Sequence, residues 1–426
     1  MVGYAGRRRA AAAVLALALF GGAPGRCAAQ QVTLRGEGRQ AKGWMPGGWG
    51  GYRFVLRNGE DRPVRVLRWT ARWEAAGKAI GEPWGGDIDK SIEPGKEMVR
   101  DEVGLLPEEV VKAAHPGAPV MAGAFAVRDG ERTLELPYRF EVPAAYLPEP
   151  LKLVKGKTAG MALMRSRFTQ FRHIDRTLRW VDQAYQQMID LTGERPFGGK
   201  LMVFKEAPAH PWWAYAGQEM ILNTDYVGQT LKDFDEGIIS FGWIHEVGHN
   251  FDVLGDWYIW SGPAAEWQAN FKLAYAFETM RDQSFRIRWT FQAPGYPAPD
   301  TNTLLRGTDL VERFFLVFGD AYLADPSRTW DTLSSDEMHG FFQRLQRVYG
   351  WDVFRRWYRA YRSLHDDGKK PPEKPEDKVR LAAAVLSRET GVDLVPVFAR
   401  WRFPVTEESV AAMRDRYGIA APAGAR

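Results

Sequence analysis

Residues 243–252 read WIHEVGHNFD, with His245 and His249 four positions apart and Glu246 directly after the first histidine. Residues four apart on an α-helix stand one turn above each other on the same face, so both imidazoles reach a single ion. Glu246 then lies beside that ion rather than on it. Ile238, Ile239, Phe241 and Ile244 supply an apolar side that turns to a core while the histidines line a cleft. Gly242 and Gly248 weaken the helix but let a neighbouring backbone approach closely.

A catalytic zinc takes three protein ligands and keeps a fourth position open for water. The position six residues after His249 is Gly255, and no histidine occurs between His249 and His339, so a carboxylate has to complete the set. Glu266 is the favoured candidate. It lies in SGPAAEWQANFKLAYAFE, where Ser261 caps a second helix and Pro263 sits in its first turn. The stretch 250–265 leaves room for the first helix to end and the chain to reverse. Asn270, one turn beyond Glu266, is placed to hydrogen-bond the site from behind. The rivals are Asp252 and Asp256, close along the chain to His249, and Glu278, three turns further down the second helix.

Outward from this core, residues 143–150 read PAAYLPEP, a proline-rich connection that refuses helix, and a domain boundary is expected there. Upstream, residues 30–142 have the texture of an antiparallel β-sandwich. Leu134, Leu136, Tyr138, Phe140 and Val142 alternate with period two, residues 64–73 form a second β-rich run, and Asn58-Gly59 and Asp129-Gly130 are turn dipeptides. One short helix is expected over residues 107–114. Downstream, residues 151–426 change character: helix over 176–191, strands over 200–204 and 213–223, then mostly helix. Phe354, Trp357, Tyr358 and Tyr361 mark one buried helix face, with Arg355, Arg356, Arg359 and Arg362 on its solvated side. Residues 369–375, KKPPEKP, read as a loop.

Residues 1–29 read as an export signal: Arg7 to Arg9, an apolar run over 10–20, and a small-residue cleavage site around Cys27 and Ala29. The apolar run is too short to span a bilayer. Removal of Arg7, Arg8, Arg9 and Arg26 lowers the basic count from 57 to 53, equal to the 53 acidic residues, so nothing global points to nucleic acid or to an anionic membrane. The only cysteine, Cys27, leaves with the signal, so no disulfide is expected in the mature chain. A periplasmic or secreted bacterial protein with no stable membrane anchor fits these features.

HEVGHN followed by AAEWQAN, with WWAYAGQEMIL upstream and VFARWRFPVT near the C-terminus, resembles the enhancin and mucinase type of gluzincin metallopeptidase over about residues 150–410. The resemblance implies a mainly helical α+β zincin domain after the sandwich. It also implies Zn2+ held by His245, His249 and Glu266, with Glu246 as general base, and a protein or O-glycosylated mucin-like substrate. The GAMEN motif of the related aminopeptidases is absent. The strand from Trp213 forms the expected cleft edge, with Trp213 and Tyr215 either facing a sugar or side chain or filling the core. Trp44 and Trp49 carry the same ambiguity, with an aromatic corner of the sandwich favoured. Tyr258, Tyr275 and His339 are unranked candidates for an oxyanion helper. Two other function classes stand beside the glycoprotein endopeptidase: a zinc protease or aminopeptidase indifferent to sugars, and a non-catalytic glycan binder with a structural zinc.

Overall fold

The computed structural model describes residues 32–38, 43–288, 303–310 and 316–423. The expected signal segment, with Cys27, lies outside the described residues. The chain opens with strands β1 (Val32–Gly38), β2 (Trp49–Asn58), β3 (Val64–Ala75), β4 (Lys78–Ile92) and β5 (Glu97–Leu105). Helix α1 (Glu108–Ala114) follows, then β6 (Val120–Asp129) and β7 (Arg132–Glu141). They pair antiparallel throughout, in two sheets of order β1-β2-β5 and β4-β3-β6-β7.

Tyr52, Phe54, Trp69, Phe125 and Tyr138 from both sheets share one apolar cluster, which is where the alternating residues point. Trp44 is a core residue, 1% exposed, stacked on Tyr52 at 5.9 Å between ring centroids. Gly50 makes room for it: a Cβ there would stand 1.7 Å from the Trp44 ring. Trp49, by contrast, is 39% exposed. The proline-rich segment after β7 returns against this corner. Trp44 donates its N–H to the Pro143 carbonyl at 2.8 Å, and Ala145 donates to the Trp44 carbonyl at 2.7 Å.

The second part begins with β8 (Leu151–Lys155), β9 (Ala159–Met164), α2 (Arg167–Gln170) and α3 (Ile174–Thr192), then β10 (Met202–Ala207). Two further strands, β11 (Ala214–Tyr215) and β12 (Glu219–Asn223), complete a mixed sheet of order β11-β12-β10-β9-β8. A single strand over 213–223 was the expectation, and the structure makes it a hairpin. Gly217 turns the chain at φ +156°, a conformation that side chains rarely adopt, and Asn250 donates to its carbonyl at 3.0 Å. β11 is left at the sheet edge, paired antiparallel to β12 on one side.

Helix α4 (Thr224–Asp235) and the short strand β13 (Ile238–Ile239) lead into α5 (Phe241–Asn250), the helix of the two histidines. One turn, α6 (Gly255–Tyr258), precedes α7 (Gly262–Thr279). Strands β14 (Arg286–Arg288) and β15 (Leu304–Leu305) join β13 in a small sheet. Helices α8 (Gly307–Leu310), α9 (Phe318–Ala324), α10 (Ser335–Tyr349), α11 (Trp351–Asp366), α12 (Pro375–Thr390), α13 (Val395–Arg400) and α14 (Glu407–Tyr417) follow. The predicted face of α11 is buried. Its arginine side is not bare: Arg355 pairs with Asp190 and Asp352, Arg356 with Glu389 and Arg362 with Glu194. No helix among the described residues is long and apolar enough to cross a membrane.

Candidate metal centre

Ser240 starts α5 by accepting the Trp243 N–H at 3.3 Å, and Trp243, Ile244 and Val247 bury one face of the helix. Two glycines then bring neighbours close. At Gly248 a Cβ would lie 2.6 Å from the Ala269 carbonyl, so α7 crosses α5 in near backbone contact. At Gly242 a Cβ would lie 2.0 Å from the Trp213 ring. Ser261 caps α7 through the Ala264 N–H at 3.2 Å, with Pro263 in the first turn. This crossing turns Glu266 toward the histidines.

The three donor groups converge. His245 Nε2 stands 3.1 Å from His249 Nε2 and 3.1 Å from a Glu266 oxygen, and His249 Nε2 is 3.6 Å from the other Glu266 oxygen. Ligands bound at zinc distances around one tetrahedral ion lie about 3.3 Å apart. Two imidazoles and one carboxylate at this spacing therefore match one face of such a tetrahedron. His245, His249 and Glu266 form a cluster able to hold a metal ion, and neither Asp256 nor Glu278 belongs to it. Glu278 is bound by Arg347 and by the Trp351 indole N–H at 2.7 Å.

Each imidazole is oriented from behind by a different chemistry. His245 Nδ1 donates to the Asn270 side-chain oxygen Oδ1 at 2.7 Å, which leaves Nε2 as a lone-pair donor facing inward. His249 Nδ1 lies 3.6 Å from Asp252, and Asp252 is held by the ammonium of Lys272, a side chain with no exposed area. Lys272 also donates to the Gly248 carbonyl at 3.3 Å. Asp252, weighed in the sequence as a ligand, thus stands behind His249 and outside the donor cluster. Lys272 was missed; its signal was a lone cation inside the apolar run ANFKLAYAF.

The electrostatics favour a positive guest. Burial works against a charged His249, but hydrogen bonds to Asp252 and Glu266 outweigh it and bring the imidazole up to about 9. The two imidazoles, His245 first, hold the Glu266 carboxyl well below the usual carboxylate range. Glu246 moves the other way: burial raises it, against the attraction of both histidines, and the Ala216 N–H in the β11–β12 turn steadies its charged form. Asp336, in the first turn of α10, was also missed. Burial lifts it above the ordinary aspartate range, with Glu337 adding and His245 opposing. A first-turn acid reads in a sequence as helix capping and nothing more.

None of the three oxyanion candidates opens onto this cluster. Tyr258 is buried with its hydroxyl 3.5 Å from the Phe251 carbonyl. Tyr275 is bound to Asp190 and Arg355, and His339 lies in the core of α10 beside Gln343. Trp213 precedes the edge strand β11 and Tyr215 ends it, both half-buried. Trp213 lies over Gly242 and lines a cavity of about 410 Å³ with Tyr226, Gln229, Asp233, Phe241 and Arg288. Phe241 stacks on the His245 ring at 6.2 Å, so this cavity borders the histidine helix. The Tyr215 hydroxyl engages the Trp49 backbone, and burial raises its pKa to about 12.

A helix bearing two inward histidines and a glutamate, completed by a carboxylate from a crossing helix, defines a metallopeptidase centre. The chain belongs to the peptidase family M60, enhancin and enhancin-like, whose profile matches residues 166–402. A search of curated proteins gives no match. Among solved structures the chain is similar to a functionally unknown conserved protein from Bacillus anthracis strain Ames, at 14% identity, covering 90% of this chain and 79% of that one with a TM-score of 0.47. It is similar to a metallopeptidase from Bacteroides thetaiotaomicron at 11% identity, covering 86% and 65% with a TM-score of 0.44. It is also similar to the M60 catalytic domain of Clostridium perfringens ZmpC, solved in complex with the sialyl T antigen, at 10% identity, covering 88% and 75% with a TM-score of 0.41.

Proposed function

We propose that this chain is an exported zinc endopeptidase that cuts protein chains carrying O-linked sugars. In this reading residues 1–29 are a signal peptide and residues 30–142 an immunoglobulin-like sandwich. Residues 143–150 are the linker and residues 151–426 a gluzincin-type catalytic domain. The observation that carries it is the triangle of His245, His249 and Glu266 donors with the Glu246 carboxylate on the same helix, steadied by the Ala216 N–H.

His245, His249 and Glu266 would hold the zinc ion, which when bound would supply the positive charge that lowers the pKa of a water and polarises a carbonyl. Glu246 accepts the proton of the attacking water and returns it to the leaving amine nitrogen. Burial raises the basicity that this transfer needs, and the Ala216 N–H fixes the carboxylate toward the cleft. β11 offers its free edge to an extended substrate, and Trp213 and Tyr215 border it. The cavity beside Trp213 takes a substrate side group next to the scissile bond.

The test is mass-spectrometric mapping of new peptide termini after incubation with an O-glycosylated mucin and its deglycosylated twin. Glu246→Gln should lower the cutting rate by about 10²–10⁴-fold while leaving the thermal midpoint unchanged. Cuts confined to the glycosylated form support the sugar requirement. Equal cutting of both forms removes the sugar and keeps the peptidase, and cutting that survives Glu246→Gln overturns the mechanism.

A further inference from the structure

One cavity that the catalytic reading does not use lies in the N-terminal sheets. It measures about 440 Å³ and is walled by Trp49, Trp73, Trp84 and Leu105, with Glu82 and Glu109 among its lining residues. The walls are unevenly buried. Trp73 is core, 4% exposed, and spends its indole N–H on the Leu105 carbonyl at 3.0 Å. Trp49 and Leu105 remain 39% and 42% exposed, and Trp84 is half-buried on the edge strand β4, its ring 5.8 Å from that of Trp73. Glu82 and Glu109 are exposed, and neither has an ion-pair or hydrogen-bond partner among the described residues. Flat apolar walls and free carboxylate acceptors thus face one space.

We infer that this cavity is a sugar-binding site for a neutral hexose or N-acetylhexosamine, separate from the metal centre. A pyranose presents one face of C–H groups, which packs on an indole, and an equatorial rim of hydroxyls, which donate to carboxylates. Other occupants fit less well. An apolar side chain would leave both glutamates without a donor. No lysine or arginine lines the cavity, so an anionic sugar meets two negative charges and no cation. A lone ammonium suits aromatic rings and acids, but the volume lies in the range of pockets that enclose a whole small molecule.

The location gives the site a use. Trp49 forms one wall, and its ring also meets Trp212 at 6.2 Å, while its backbone engages the Tyr215 hydroxyl of the catalytic edge strand. The wall of the cavity is therefore also the seam with β11. A glycoprotein lying along β11 brings its sugars past Trp212 and Trp49 into reach of the cavity. That use rests on the proposed peptidase reading; the sugar binding does not.

Saturation-transfer NMR on the full chain carrying Glu246→Gln tests the inference. The probes are galactose, N-acetylgalactosamine, glucose and N-acetylglucosamine, with N-acetylneuraminate and tetramethylammonium alongside. At least one neutral sugar should receive saturation on its C–H face. Glu82→Gln, at an exposed position that leaves the fold intact, and Trp84→Ala should each weaken that sugar roughly tenfold or more. The inference is overturned if no neutral sugar responds, if the response survives both substitutions, or if tetramethylammonium or N-acetylneuraminate binds instead. Adding a chelator should leave the sugar signal unchanged, and its loss would return the binding to the metal centre and overturn the separate site. Glu246-dependent cleavage without sugar binding sinks the cavity and leaves the peptidase. Sugar binding without any such cleavage does the reverse.

Discussion

The two parts of the chain differ in whether their described ion pairs include a fully buried charge. In the N-terminal sheets each described pair keeps some solvent contact: Arg53 and Asp101 are 41% and 40% exposed, Arg65 and Asp89 more so, and the more covered Arg100 and Glu102 still 30% and 20%. The C-terminal part adds two pairs with a side chain wholly out of solvent. Lys272 has no exposed area and faces Asp252, and Glu206, equally buried, is held by Arg167 and by the Thr224 hydroxyl. A solvated pair adds little to stability, whereas a buried pair costs heavily when one partner is removed. The sheets are thus held by their aromatic interior and tolerate changes in surface charge, while the peptidase part has charge built into the frame that aims its ligands.

The sharpest way to break this contrast is Lys272→Met. It strands the Asp252 carboxylate, so unfolding in urea should show a loss of about 3–5 kcal/mol. Zinc affinity, read by competition with a chromophoric chelator, should fall about 10–100-fold because His249 loses its support. A loss of stability with unchanged affinity would show that the pair serves the core alone.

The glycines give a matched pair of smaller effects. Gly248→Ala drives a methyl into the Ala269 backbone, and Gly50→Ala drives one into the Trp44 ring. Each should destabilise by about 1–3 kcal/mol, but only the first should change zinc affinity, since only it separates α5 from α7. Equal loss of zinc binding in both variants would mean that the two parts fold as one unit. Arg53→Met should leave the urea midpoint where it is, and a clear shift there would erase the contrast.

An effect confined to acid pH is expected from His210, which sits at the seam, 5.2 Å from the Tyr215 ring, with neither ring nitrogen hydrogen-bonded. Burial lowers its pKa from 6.5 to about 4. Between those values the unfolded chain binds more protons, so this stability is fully present above about pH 6.5 and is lost as pH falls toward 4. His210→Phe should flatten the fall in urea midpoint over that window, and an unchanged slope would place the acid sensitivity elsewhere.

The histidine helix was legible because its meaning is local. Four-residue spacing places His245 and His249 on one face whatever surrounds them, and Ser261 with Pro263 marks the next helix start by capping chemistry alone. The alternation of Leu134, Leu136 and Tyr138 made the antiparallel sheets readable in the same way. The hairpin at Gly217 was not legible, since a glycine within an apolar run is silent until a turn is seen. The oxyanion candidates misled for a related reason: Tyr258, Tyr275 and His339 have suitable chemistry, but burial points them into the core.

Spacing and residue type were sufficient for two imidazoles, a neighbouring glutamate and a carboxylate one helix later, because helical periodicity is a property of the backbone. The choice among Asp252, Asp256, Glu266 and Glu278 belonged to the crossing of α5 and α7 at Gly248, where non-local packing brings the Glu266 carboxylate to 3.1 and 3.6 Å from the inward ring nitrogens, leaves Asp252 behind His249 and keeps Asp256 and Glu278 outside the cluster. The same holds for Trp44 and Trp49, five residues apart and alike in type. One was drawn into the core and the other left at the rim of a cavity, a division made by contacts between distant strands that no short stretch of sequence contains.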